Sequence, residues 1–296
     1  MSHPRPDERN ASPPGSTPES LGGGAPSPER NAPSVLLLMS PATYRAGAFL
    51  AAAKRLGISA IPAVDHPADL PELSGALGID LNQADHAIEQ VKSFAGDHPV
   101  DAILAVDDSA TLVAAKANAS LGLPHNAPES ALAARDKWVM RQAFARAGVS
   151  VPVFQQFPVV SDPVEVAAQL DFPVVVKPLR LSGSRGVIRA DDPAAFAAAW
   201  ARTKRLLLVE EGLDPDTTAI LVEEYLPGIE VAVEAMLIDG KLEVLAIFDK
   251  PDPLVGPFFE ETIYVTPSRL SEEIQAAIAL RTAEAAAAVG LRVGPV

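Results

Sequence analysis

Pro173-Val174-Val175-Val176-Lys177-Pro178, running on through Leu181-Ser182-Gly183-Ser184-Arg185-Gly186 to Val187-Ile188-Arg189, is the stretch on which the fold turns. The valine run has no polar alternation, so it reads as a strand covered on both faces. Lys177 then sets a cation at the mouth of that strand, over whatever lies beyond it. Gly183 and Gly186 let the backbone come close to a ligand, and the exposed N–H groups of such a loop can cradle phosphate oxygens. Val187-Ile188-Arg189 carries the chain back as a hairpin. Taken singly, each feature also has an ordinary reading as a turn or a solvated strand end.

Working outward, a helix is expected over Pro193–Arg205 and a strand over Ala219–Tyr225. Val231–Ile238 and Lys241–Phe248 are joined by Asp239-Gly240, a pair that accepts the positive φ of a type I′ turn, and form the plainest hairpin in the chain. An amphipathic helix follows over 271–289. Upstream, one helix is expected from Glu129 to Ala147, ending at Gly148. Val35–Met39, Ile58–Val64 and Asp101–Val106 read as buried strands. They alternate with helical stretches at Ala46–Leu56 (closed by Gly57), Asp80–Phe94 and Ala110–Leu121, which suggests a small parallel α/β unit with right-handed crossovers. Its first turn is Ser40-Pro41-Ala42-Thr43, so the glycine fingerprint of a dinucleotide site is missing.

Residues 1–34 are dense in Pro, Ser and Gly and have no apolar period, so they are expected to form a disordered, dispensable tail. Its three arginines and four acids leave −13 of the net −14 on the rest of the 296 residues. Such an acidic body argues against non-specific nucleic-acid binding, which needs a basic face. The lack of cysteine excludes disulfides, thiolate metal sites and a cysteine nucleophile, and fits a reducing compartment. With no apolar run of membrane-spanning length and no signal peptide, the chain is expected to be cytoplasmic.

Arg135-Asp136-Lys137-Trp138, Lys177-Pro178, the loop Ser182–Gly186 and Glu223-Glu224-Tyr225-Leu226-Pro227-Gly228-Ile229-Glu230 stand in a fixed order. In that order they resemble the ATP-grasp superfamily, in its carboxylate–amine ligase and biotin-carboxylase-like branch. The resemblance runs from about Val35 to the chain end. It implies an α/β (α+β) fold: a pre-ATP-grasp domain over 35–127, then an ATP-grasp domain over 128–296 with a two-layer lid at about 151–218. It also implies roles. Lys137 and Lys177 would contact phosphates, and Ser182, Gly183 and Ser184 would fold over the β- and γ-phosphates. Glu223 would stand near the adenine amino group, the backbone of Tyr225 and Leu226 at the adenine edge, and Glu230 at the ribose hydroxyls. These residue types suit their tasks, since a triphosphate needs cations and amides and a ribose diol suits a carboxylate. Arg185 and Lys250 are the candidate catalytic cations.

ATP and Mg2+ are the implied cofactors, yet the acids with which the family holds magnesium are not visible. They are expected beyond Val296, together with the final strands, so the chain reads as truncated and as unable to turn ATP over. The apolar face of the last helix (Ile274, Ile278, Ala285) should then be partly uncovered. The implied reaction phosphorylates a small-molecule carboxylate and lets an amine displace phosphate, and Phe248–Pro253 with Phe258–Glu261 resembles the substrate-facing region of dipeptide-forming relatives. A biotin-carboxylase-like carboxylase and an inactive ATP-binding fragment or regulator are the alternatives. The resemblance also admits a homodimer.

Overall fold

The computed structural model describes residues 32–41, 43–66, 76–81 and 83–296. Of the expected tail, residues 1–31 lie outside the described residues. Strand β1 (Ser34–Met39) begins one residue earlier than the reading at Val35. It is followed by α1 (Ala46–Leu56), β2 (Ser59–Asp65), β3 (Leu77–Ile79), α2 (Ala84–Asp97), β4 (Ala102–Ala105) and α3 (Thr111–Leu121). The strands form one parallel sheet in the order β3-β2-β1-β4. The apolar run of β1 divides by parity. Leu36 and Leu38 enter the core under α2 and α3, while Leu37 and Met39 pack with Val106 against Phe49 of α1. Burial on both faces is what an unbroken apolar run predicts for a parallel strand. Asn118 of α3 is 4% exposed and secures β4, donating to the Ile103 carbonyl at 2.7 Å and accepting from the Ile103 N–H at 3.0 Å.

The helix expected over Glu129–Ala147 is in fact two, α4 (Pro128–Arg135) and α5 (Lys137–Arg146). Asp136 between them is extended (φ −96°, ψ 112°), and its carboxylate accepts from the N–H groups of Trp138 and Val139. An aspartate that can cap a new helix competes with continuation of the old one, which a reading by periodicity does not detect.

Next come β5 (Phe154–Pro158), α6 (Pro163–Ala167), β6 (Val174–Pro178), β7 (Ile188–Ala190), α7 (Pro193–Arg205) and β8 (Ala219–Glu224). Their strands form an antiparallel sheet in the order β5-β8-β6-β7. Val174, Val176, Ile220 and Val222 face a core with Phe196 and Trp200 of α7. By the period of two, Val175, Lys177, Leu221 and Glu223 share the other face. This sheet and α7 therefore form two layers, in the region where the resemblance implies a lid.

The hairpin β9 (Val231–Ile238) and β10 (Lys241–Asp249) turns at Asp239 and Gly240, with φ 51° and 84°. After α8 (Glu272–Ala288), the short β11 (Gly294–Pro295) pairs antiparallel with β9, giving the order β10-β9-β11. Asn126 ties this region to the α3–α4 connection, accepting from the N–H groups of Arg292 and Val293 and donating to the Val293 carbonyl. Of the three apolar residues expected to be uncovered on α8, Ile274 is 48% exposed, whereas Ile278 and Ala285 are half-buried.

Candidate functional site

One cleft of about 1180 Å³ lies between the lid sheet, α5, the segment 223–230 and the first α/β unit, and all nine expected binding residues line it. Each arrives by a different route. Because Asp136 restarts the helix, Lys137 sits in the first turn of α5. Its Nζ donates to the carbonyls of Leu181 (2.7 Å) and Leu179 (3.5 Å), and its N–H donates to the Leu179 carbonyl at 3.0 Å. Lys137 thus ties α5 to the start of the glycine–serine loop. Burial, and then the neighbouring Lys177 ammonium, lower its pKa below the usual lysine value.

The loop itself uses left-handed backbone. Gly183 has φ 63°, Ser184 54° and Gly186 74°. At Gly186 the need for glycine is steric as well, since a Cβ there would lie 2.7 Å from Leu206 and 2.8 Å from Pro178.

Lys177 and Glu223 meet on the cleft-side face of the lid sheet, where Val175 pairs with Glu223 and Lys177 with Leu221. The Lys177 ammonium donates to one Glu223 oxygen. Arg141 takes both oxygens, Nε at 2.5 Å and Nη2 at 3.3 Å. The Glu223 side chain is 2% exposed. Burial alone pushes its carboxyl up, but Lys177 and Arg141 outweigh this and hold it below the usual glutamate range. The sequence reading placed Glu223 near an adenine amino group; in the structure its two oxygens are engaged by Lys177 and Arg141. Arg141 escaped the sequence reading. Its signal was the spacing Lys137-x-x-x-Arg141, which puts both cations on one face of a helix.

At the other end, the Tyr225 ring lies under the Arg189 guanidinium, 4.0 Å from its centroid, and Leu226 is 59% exposed. Glu230 accepts from Lys250, which donates also to Glu261. Burial pulls the Lys250 pKa down, but these two carboxylates outweigh it and raise the value. Lys250 lines a smaller adjoining pocket of about 480 Å³ that shares Gly228, Ile229, Glu230 and Leu254 with the main cleft. Arg185, the other candidate catalytic cation, turns away: it pairs with Glu211 at 2.5 Å and is not among the residues lining the cleft. Among the described residues, no group of three or more His, Asp or Glu is placed to hold a metal ion. No helix is long and apolar enough to cross a membrane.

The arrangement offers cations beside a left-handed loop at one end, a carboxylate at the other, and apolar walls from Met140, Val175 and Leu226 between them. Residues 170–296 match the ATP-grasp domain family and residues 50–125 the ATP-grasp N-terminal domain family. The chain is 28% identical over 222 residues to the alanine–anticapsin ligase of Bacillus subtilis, covering 70% of this chain and 46% of the relative. It is 30% identical over 162 residues to the D-alanine–D-alanine ligase of Aromatoleum aromaticum, covering 54% of this chain and 49% of the relative. The chain therefore spans about half the length of these curated relatives. A crystal structure of an L-amino acid ligase from Bacillus licheniformis superposes with a TM-score of 0.72 at 25% identity, over 90% of this chain and 62% of that one.

Proposed function

We propose, from the premise that this chain belongs to the ATP-grasp superfamily, that it serves an ATP-dependent ligase joining a small carboxylic acid to an amine. Residues 128–296 are the grasp domain and 35–127 the domain before it. The observation that carries the reading is the convergence of Lys137, Lys177, the loop 182–184 and the segment 223–230 on one cleft.

Lys137 and Lys177 would hold the phosphates, with the N–H groups of 182–184 closing over them. The backbone of Tyr225 and Leu226 would flank the adenine and Glu230 would accept from the ribose hydroxyls. The γ-phosphoryl group passes to a carboxylate oxygen, releasing ADP and leaving an acyl phosphate. The amine nitrogen then attacks the acyl carbon, phosphate departs with the C–O bond electrons, and the nitrogen loses a proton. The chain's own residues bind and orient ATP for the first step, which for phosphoryl transfer is a large part of catalysis. Magnesium is the metal the family implies. Among the described residues no group of three or more His, Asp or Glu is placed to hold it, so no step is assigned to it.

The test is phosphate release with ATP and magnesium across a panel of amino acids. Release that requires both an acid and an amine supports the ligase. ATP bound without release under any pair favours a binding role, and release with bicarbonate as the acid favours a carboxylase.

A further inference from the structure

We propose that Arg141 is a positioning residue, the standing counter-ion of Glu223 that allows Lys177 to leave this carboxylate for a phosphate. The inference rests on the reading of the cleft as an ATP site. Glu223 is buried and shared: Arg141 holds it through two nitrogens and Lys177 through one. If a phosphate draws the Lys177 ammonium along the cleft, Glu223 loses one of its two cations, and this carboxylate is only 2% exposed with both in place.

Stranding a buried carboxylate is far more costly than exchanging one of its partners. Arg141 removes that cost. It approaches from α5 and Lys177 from β6, on separate elements, so Lys177 can swing away without moving Arg141. A guanidinium suits this task, because its planar fork spans both oxygens and does not deprotonate. Lys137 donates instead to the Leu179 and Leu181 carbonyls. The carboxylate's role is to park Lys177 beside the loop when no nucleotide is present, and Arg141 makes that parking reversible.

The exchange is tested by affinities for ATP, with magnesium, and for adenosine, which has no phosphate to draw Lys177 away. Arg141→Gln should weaken ATP binding at least tenfold while changing adenosine binding less than about twofold, tenfold being about 1.4 kcal/mol. Arg141→Lys should recover part of the loss. The double variant Arg141→Gln/Glu223→Gln should bind ATP within about threefold of Glu223→Gln alone, because no carboxylate remains to retain Lys177. This last comparison stands even if Arg141→Gln alone folds poorly.

Equal loss for both ligands would show a merely structural role and overturn the proposal. A double variant still tenfold weaker than Glu223→Gln would mean that Arg141 touches the phosphate itself, which also overturns it. If the wild-type chain binds ATP and Arg141→Gln binds it equally well, the exchange fails while the ATP site stands. If the wild-type chain binds no ATP, the functional reading fails first.

Discussion

Lys177 shows how one residue can be legible in sequence yet incomplete there. A lysine after three buried valines must emerge at the end of a covered strand, and it does. Lys177→Ala should weaken ATP binding more than tenfold with the fold retained, because a charge-assisted contact is worth about 1.5–3 kcal/mol and Arg141 still neutralises Glu223. Unchanged affinity by calorimetric titration would remove Lys177 from the site. Glu223 gives a pH prediction. Its folded pKa lies below the ordinary 4.5. The stabilisation from its cations is thus fully present above that value and drains as pH falls through the folded pKa. Glu223→Gln should be less stable than wild type at neutral pH, and urea midpoints should show the gap closing in acid. A gap independent of pH would mean that the carboxylate's charge is not what stabilises.

Among the elements, α5 and the loop before β7 carry the sharpest demands. Asp136 is 3% exposed, caps α5 and pairs with Arg180 at 3.0 Å. The Arg180 side chain is 63% exposed, so the ion pair contributes little and the cap decides the outcome. Asp136→Ala should cost about 1–2 kcal/mol, whereas Asp136→Asn, which keeps an accepting oxygen, should cost roughly half as much or less. Equal melting temperatures for the two variants would count against the cap. Gly186→Ala meets both a left-handed φ and the contacts with Leu206 and Pro178. About 2–3 kcal/mol should be lost, which is roughly 5–10 °C in Tm. A loss below 2 °C would mean that the loop relaxes freely.

For the whole molecule, the cleft draws walls from the lid, from α5 and from Thr111 and Asn118 of the first unit. A nucleotide filling it should stabilise these parts together. ATP at a hundred times its Kd should add about 2.7 kcal/mol and raise a single melting transition by several degrees. Two transitions, with only one moved by ATP, would show that the first unit takes no part. The surface carries a liability as well. Ile274 and Leu280 on α8 and Leu245 on β10 are 48%, 57% and 66% exposed. Replacing all three by polar residues should reduce concentration-dependent association in light scattering without lowering Tm.

Local pattern determined much of this. The buried strands, the Asp239-Gly240 hairpin, the left-handed glycines at 57 and 148 and the order of the cleft residues were all legible, because each depends on side chains close in sequence. The split at Asp136 was not, since a capping aspartate and a helical aspartate look alike until the next turn forms. Nor was the direction of Arg185, whose partner Glu211 is 26 residues away. Above all, the partners of Glu223 were decided by the fold. Arg141 lies 82 positions before it and Lys177 46 before it, and only the packing of α5 against the lid sheet brings them to one carboxylate. Periodicity says which face a side chain takes, whereas the charge it meets across a cleft depends on elements the chain has still to place.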